Sequence, residues 1–333
     1  MKNTHIKYVT IWLYAGLILV ALMVIIGGIT RLTQSGLSMV DWNLISGAIP
    51  PLNETEWLET FAKYQQFPEY QKVNKGMTLA EFKMIFFWEY LHRLLGRVIG
   101  LVFIIPFAVF WFKKYFNSRQ KKQLLILLFL GGFQGFLGWF MVKSGLVDMP
   151  HVSHFRLALH LLAAFGVMCY IYWLILSFNS IPKKSNSVLK KLSRWFIGIL
   201  IVQILYGAFV AGLKAGYFLD ATSSTLKNVV GYTFRNTNDI DIFNNHIDVQ
   251  AFHRLFAWLV FAGALIIYKK SRNTNVSAIG SVVFGLVVLQ VSLGIATLLL
   301  RVQLHTAITH QFIAIILLLS AIKLNYLSGN NKA

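Results

Sequence analysis

Eight runs of apolar residues alternate with polar segments along the chain, at approximately 9–29, 84–112, 123–143, 155–178, 194–213, 250–268, 277–299 and 305–326. Each is near the roughly 20 apolar residues that a helix needs to cross a bilayer. The pattern predicts an all-α integral membrane protein with eight transmembrane helices. The first run reads as a full span without a small-residue cleavage site, so it is expected to stay as an anchor. Two longer polar segments interrupt the alternation. Within residues 30–83, the stretch from Asn53 to Gln66 carries Trp57, Phe61 and Tyr64 on one helical face, which is expected to lie on the membrane surface. Residues 214–248 are rich in Asn, Asp and Thr and show no readable pattern.

Charge orients the helices. Lys2 and Lys7 precede the first run; Lys113, Lys114, Arg119, Lys121 and Lys122 join the second and third. Lys183, Lys184, Lys190, Lys191 and Arg194 join the fourth and fifth, and Lys269, Lys270 and Arg272 the sixth and seventh. All fall on one side, which the positive-inside rule makes cytoplasmic (or the mitochondrial matrix), with both termini there. The formal charge of +19 is therefore orienting charge in a chain with only 13% charged residues, and nucleic acid is not an expected partner. The single cysteine, Cys169, excludes an intrachain disulfide and a thiolate cage.

The chain repeats itself. Glu89-Tyr90-Leu91-His92-Arg93-Leu94 in the second run answers Gln250-Ala251-Phe252-His253-Arg254-Leu255 in the sixth. Gln134-Gly135-Phe136-Leu137-Gly138 in the third answers Gln290-Val291-Ser292-Leu293-Gly294 in the seventh. Gly27-Gly28 and then Ser35-Gly36 answer Gly207-Ala208 and then Ala215-Gly216. Polar residues in register across three helix pairs predict two pseudo-symmetric four-helix bundles, residues 1–180 and 181–333.

His92, His160, His253 and His310 lie one on each even-numbered helix, about 8–15 Å from its outer end at about 1.5 Å per residue. Ionisable groups at such depth are costly and mark function. No acidic cluster or thiolate accompanies them to complete a zinc or di-iron cage. Histidines on facing helices then suggest axial ligands of haem iron, His92 with His160 and His253 with His310. Gly96, Gly100, Gly131, Gly132, Gly135 and Gly138 offer room for a macrocycle to approach the backbone. Arg93 and Arg254 either pair with haem propionates or snorkel to the surface. Glu89 breaks the repeat, because Gln250 stands in its place; a carboxylate beside a ligand tunes it, relays protons or stabilises a cation. His5, His151, His154, His246 and His305 fall in loops or at helix ends and are weaker candidates.

The run Gly27-Gly28-Ile29-Thr30-Arg31-Leu32-Thr33-Gln34-Ser35-Gly36-Leu37-Ser38-Met39-Val40-Asp41-Trp42 resembles the opening signature of the haem A synthase family. Ile49-Pro50-Pro51-Leu52-Asn53, Trp88-Glu89-Tyr90-Leu91-His92-Arg93, Arg156-Leu157-Ala158-Leu159-His160, Phe252-His253-Arg254 and His310-Gln311 extend the resemblance over nearly the whole chain. The form is similar to the mitochondrial and proteobacterial branch. The resemblance implies oxidation of the C8 methyl of haem O to a formyl group, giving haem A for cytochrome oxidase. It implies a catalytic carboxylate at Glu89, substrate haem between His92 and His160, and a resident haem b between His253 and His310. Haem O synthase is the implied substrate donor, with the electron donor and any homo-oligomer left open. The implied location is the bacterial inner (cytoplasmic) membrane. A di-haem cytochrome b-like electron-transfer subunit explains the four histidines equally well, though not Glu89 opposite Gln250. A repeat-built transporter is the third reading. The chain departs from the family after Gly216, reading Tyr217-Phe218-Leu219-Asp220 where an Asn-Thr-Phe-Pro segment is usual.

Overall fold

The computed structural model describes residues 3–41, 46–143, 151–218 and 240–329. Trp42 and most of the 214–248 loop lie outside them, so the divergence after Gly216 is described only as far as Phe218. Among the described residues ten α-helices follow one another: α1 Asn3–Leu32, α2 Glu54–Tyr64, α3 Pro68–Lys72, α4 Leu79–Phe112, α5 Ser118–Lys143, α6 His154–Phe178, α7 Ser187–Gly212, α8 His246–Ser271, α9 Ser277–Leu299 and α10 Leu304–Leu327. Eight of them, all but α2 and α3, are long and apolar enough to span a membrane. The eight expected spans are these helices, and the protein is an all-helical, multi-pass membrane protein.

Helix α4 begins five residues before its apolar run. Thr78 accepts a hydrogen bond from the Glu81 N–H while Glu81 accepts from the Thr78 N–H, a reciprocal cap on two donors that a helix start leaves unpaired. With 34 residues the helix is about 51 Å long, well beyond a hydrocarbon core of about 30 Å. Its extra turns present Phe82 and Phe86 to α2, whose Phe61 and Tyr64 bury against them. Tyr64 and Phe82 are fully buried with ring centroids 5.1 Å apart, and Trp57 meets Phe86 edge-on at 5.0 Å. The aromatic face of α2 thus packs on protein. An amphipathic pattern records that a face is covered, not what covers it. Tyr64 also accepts from Asn74 and donates to Glu69 at 3.0 Å; burial and then the Glu69 charge raise its phenol pKa.

Contacts divide the described residues into two compact units, one running from 15 to 164 and the other comprising those up to 14 and those from 165 onward. In the second unit α7, α8, α9 and α10 pack in a closed ring, α7 against α8, α8 against α9, α9 against α10 and α10 against α7. Small residues let these helices approach closely, as is usual where lipid offers no hydrophobic gain. A Cβ on Gly280 would collide with the Ser271 hydroxyl, and one on Gly263 would lie 3.1 Å from the Phe196 ring. The chain end is tied down by Lys190, which donates to the Asn325 side chain and carbonyl at 2.9 Å, and by the Asn186 N–H on the Ser328 carbonyl.

Candidate haem-binding site

Helix α1 ends in a hydrogen-bonded turn built from the Thr30–Asp41 segment. The Ser35 N–H donates to the Thr30 carbonyl, Gln34 takes a left-handed conformation with φ of 54°, and the Thr33 and Ser35 hydroxyls lie 2.7 Å apart. Ser35 and Ser38 are fully buried. This turn carries the Ser38 hydroxyl and the Met39 N–H to Glu89 on α4. Both donate to Glu89 Oε2, at 2.7 and 2.8 Å. The other carboxylate oxygen accepts from Arg93 at 2.6 Å, one helical turn along. Glu89 is 3% exposed and the Arg93 side chain 9%. The pair is net neutral and hydrogen-bonded on both sides, which is what a buried charge requires. Arg93 also donates to the carbonyls of Met39 and Asp41, and Tyr90 to that of Ala48, so one turn of α4 holds Met39, Asp41 and Ala48. Glu89 therefore faces neither lipid nor the His92 ring as its hydrogen-bond partner. Ser38 and the Met39 N–H were absent from the expected site.

The four histidines are half-buried within their helices. His92 lies within electrostatic reach of His160, and His253 of His310. Each ring rests on a glycine of the preceding odd-numbered span. A Cβ added to Gly27 would come within 3.2 Å of the His92 ring, on Gly138 within 3.2 Å of His160, on Gly207 within 3.2 Å of His253, and on Gly294 within 3.1 Å of His310. Such distances are tighter than ordinary van der Waals contact, so any larger residue displaces the ring. Of the other glycines expected to make room, Gly96 abuts Met23. Gly100, Gly131, Gly132 and Gly135 have no atom within 4 Å of an added Cβ. Among the described residues no three His, Cys, Asp or Glu side chains converge as a metal cage would require. His310 Nδ1 is buried without a partner. A two-histidine donor set with a glycine under each ring suits axial ligation of a flat macrocycle and does not suit a caged ion.

The second unit differs around its ligand candidates. Gln250, 5% exposed, donates to the Ala215 carbonyl at 3.2 Å. Arg254 is half-buried. Of the weaker histidines, His246 starts α8, bonds the Leu213 carbonyl at 2.7 Å and stacks on Phe218; His154 lies against Phe155, and His305 is exposed. None of these joins the four.

Fold and site together define a polytopic membrane protein with two pairs of half-buried histidines suited to haem, one pair accompanied by a buried carboxylate. Comparison with known proteins narrows this. The chain belongs to the cytochrome oxidase assembly protein family, whose pattern it matches over residues 10–322. It is 44% identical to the haem A synthase of Flavobacterium psychrophilum, over 96% of each chain. It is 42% identical to that of Flavobacterium johnsoniae, again over 96% of each. With the haem A synthase of Nitrosospira multiformis it shares 41%, over 96% of this chain and 93% of that one. No solved structure matches.

Proposed function

We propose that this protein is a haem A synthase, a membrane oxidoreductase that oxidises the C8 methyl of haem O to the formyl group of haem A. The observation that carries the reading is the buried Glu89, fixed one turn from His92 by Ser38, Met39 and Arg93. The relatives named haem A synthase, matched end to end, support it.

In this reading the two halves, residues 1–180 and 181–333, divide the work. His92 and His160 hold the substrate haem; His253 and His310 hold a resident haem b. Haem bound at these pairs supplies the redox chemistry. Glu89 supplies a fixed negative charge in a dry site, where it takes up the proton leaving the methyl group or offsets positive charge developing there; such pre-set charge needs no reorganisation as the reaction proceeds. Arg93 balances that charge while the site is empty of substrate charge, and with Arg254 it is the candidate partner for propionates. Glycine at positions 27, 138, 207 and 294 keeps each ring seated against its neighbouring helix. The carboxamide of Gln250 has no proton to give or take at neutral pH, so the second pair is left to pass electrons. The basic loops put both termini on the cytoplasmic side of the inner membrane, with haem O synthase as the source of substrate and lipid all round.

The test is to extract haem from membranes expressing the chain together with a haem O source. Haem A is expected, and Glu89→Ala is expected to abolish it while leaving bound haem b. Haem b alone from the unaltered chain means an electron carrier, and no haem at all means a transporter.

A further inference from the structure

One helical turn before each ring-bearing glycine stands a residue on the same helix face. In three places it is glutamine: Gln134 before Gly138, Gln203 before Gly207, Gln290 before Gly294. In the fourth it is Met23, before Gly27. The glutamines meet the rings. Gln134 Nε2 lies 3.1 Å from His160 Nδ1 and donates to the His160 carbonyl at 2.9 Å. Gln203 Nε2 lies 3.2 Å from His253 Nδ1 and 3.4 Å from its Nε2, and donates to the His253 carbonyl at 3.1 Å. Gln290 Nε2 lies 3.3 Å from His310 Nε2. In all three the amide oxygen is buried without a partner. Met23 instead lays its methyl over Gly96, and among the described residues the His92 ring makes no hydrogen bond.

A histidine that binds iron through one nitrogen needs a partner for the other, and that partner fixes tautomer, ring orientation and ligand strength. A carboxamide can serve that nitrogen whether or not it carries a proton, since it has a donor and an acceptor at one end. The thioether of methionine has no donor and is a weak acceptor. We propose that Gln134, Gln203 and Gln290 are positioning residues that clamp His160, His253 and His310, and that His92 is the one ligand left unclamped. This rests on the axial-ligand reading above. It gives the two pairs different jobs: His253 and His310, clamped on both sides, retain a cofactor, whereas His160 alone is clamped in the pair whose haem must arrive and depart.

The experiment uses the full chain purified with its bound haem, reading the haem midpoint potential and the low-spin electron paramagnetic resonance signal. Gln203→Leu removes the partner and should raise the potential. Gln203→Glu offers a stronger acceptor, makes the ring a better donor to ferric iron and should lower it. Shifts of opposite sign are what a merely structural residue does not give. If both variants keep the unaltered potential and signal, or both shift alike, the clamp is overturned. His253→Ala separates the two claims: an unchanged low-spin signal there sinks the ligand reading itself, whatever the glutamines do. The asymmetry is tested by reciprocal exchange. Met23→Gln should slow loss of added haem O about tenfold, and Gln203→Met should speed loss of the resident haem about tenfold, the lower end expected for an outer partner of a metal ligand. Unchanged loss rates in both exchanges overturn it.

Discussion

The residue three places before the ligand candidate is a carboxylate on α4 and an amide on α8, and the loops that meet them differ to match. After α1 the chain turns through a left-handed Gln34 and delivers two donors, the Ser38 hydroxyl and the Met39 N–H, to Glu89. After α7 it turns through a left-handed Lys214 at the corresponding place, but delivers an acceptor, the Ala215 carbonyl, to Gln250. The same exit from a helix is thus finished with opposite polarity. A buried anion is tolerated only where donors await it, so Glu89 and its loop form one unit and cannot be exchanged residue by residue.

The comparison breaks most sharply if the second site is given the first site's carboxylate. Gln250→Glu would set an anion against the Ala215 carbonyl, two residues from the buried Asp248. An unpaired buried charge costs about 3–5 kcal/mol, so thermal unfolding in detergent should show a loss of that size. A variant as stable as the parent would mean that the loop around Ala215 can re-form to supply donors. The converse exchange, Glu89→Gln, keeps shape and removes charge. It should lower haem A formation by about 10²–10³-fold, the effect of removing one pre-set electrostatic group, with both haem sites still filled by absorption spectroscopy. Loss of bound haem instead would make Glu89 a structural residue.

Much of this was legible in the residues alone, for identifiable reasons. Eight spans follow from the length of apolar runs, because lipid enforces that length. The four histidines and the contrast of Glu89 with Gln250 follow from polar residues repeating where polarity is expensive. The partners of Glu89 were not legible. Met39 contributes a backbone N–H, which no side chain announces, and Ser38 lies 51 residues away in sequence. The protein cover of α2 was not legible, because Trp57, Phe61 and Tyr64 pattern alike against lipid or protein. Thr78 and Glu81 held the missing signal: their spacing starts α4 early enough to leave Phe82 and Phe86 in need of a cover. Gln134 and Gln290 stood in the repeat before their glycines, but their meaning depends on a ring from another helix.

Ser38 offers the finest cut between the two sites. Its hydroxyl is fully buried and reaches both the Ser35 carbonyl at 3.1 Å and Glu89 at 2.7 Å; with one proton it serves the carboxylate, the shorter and charge-assisted bond. Ser38→Ala removes that donor and leaves those from Met39 and Arg93, so Glu89 stays paired but is held less firmly. A hydrogen bond to a charged group is worth about 1.5–3 kcal/mol, and a share of it lost in the transition state should lower haem A formation about tenfold. Haem b content should change little, since the second unit has no part in this bond. Ser38→Thr keeps the hydroxyl and should recover most of the rate. If Ser38→Ala matches the parent rate, Glu89 is held by Arg93 and Met39 alone; if it falls as far as Glu89→Gln, the hydroxyl itself takes part beside the carboxylate.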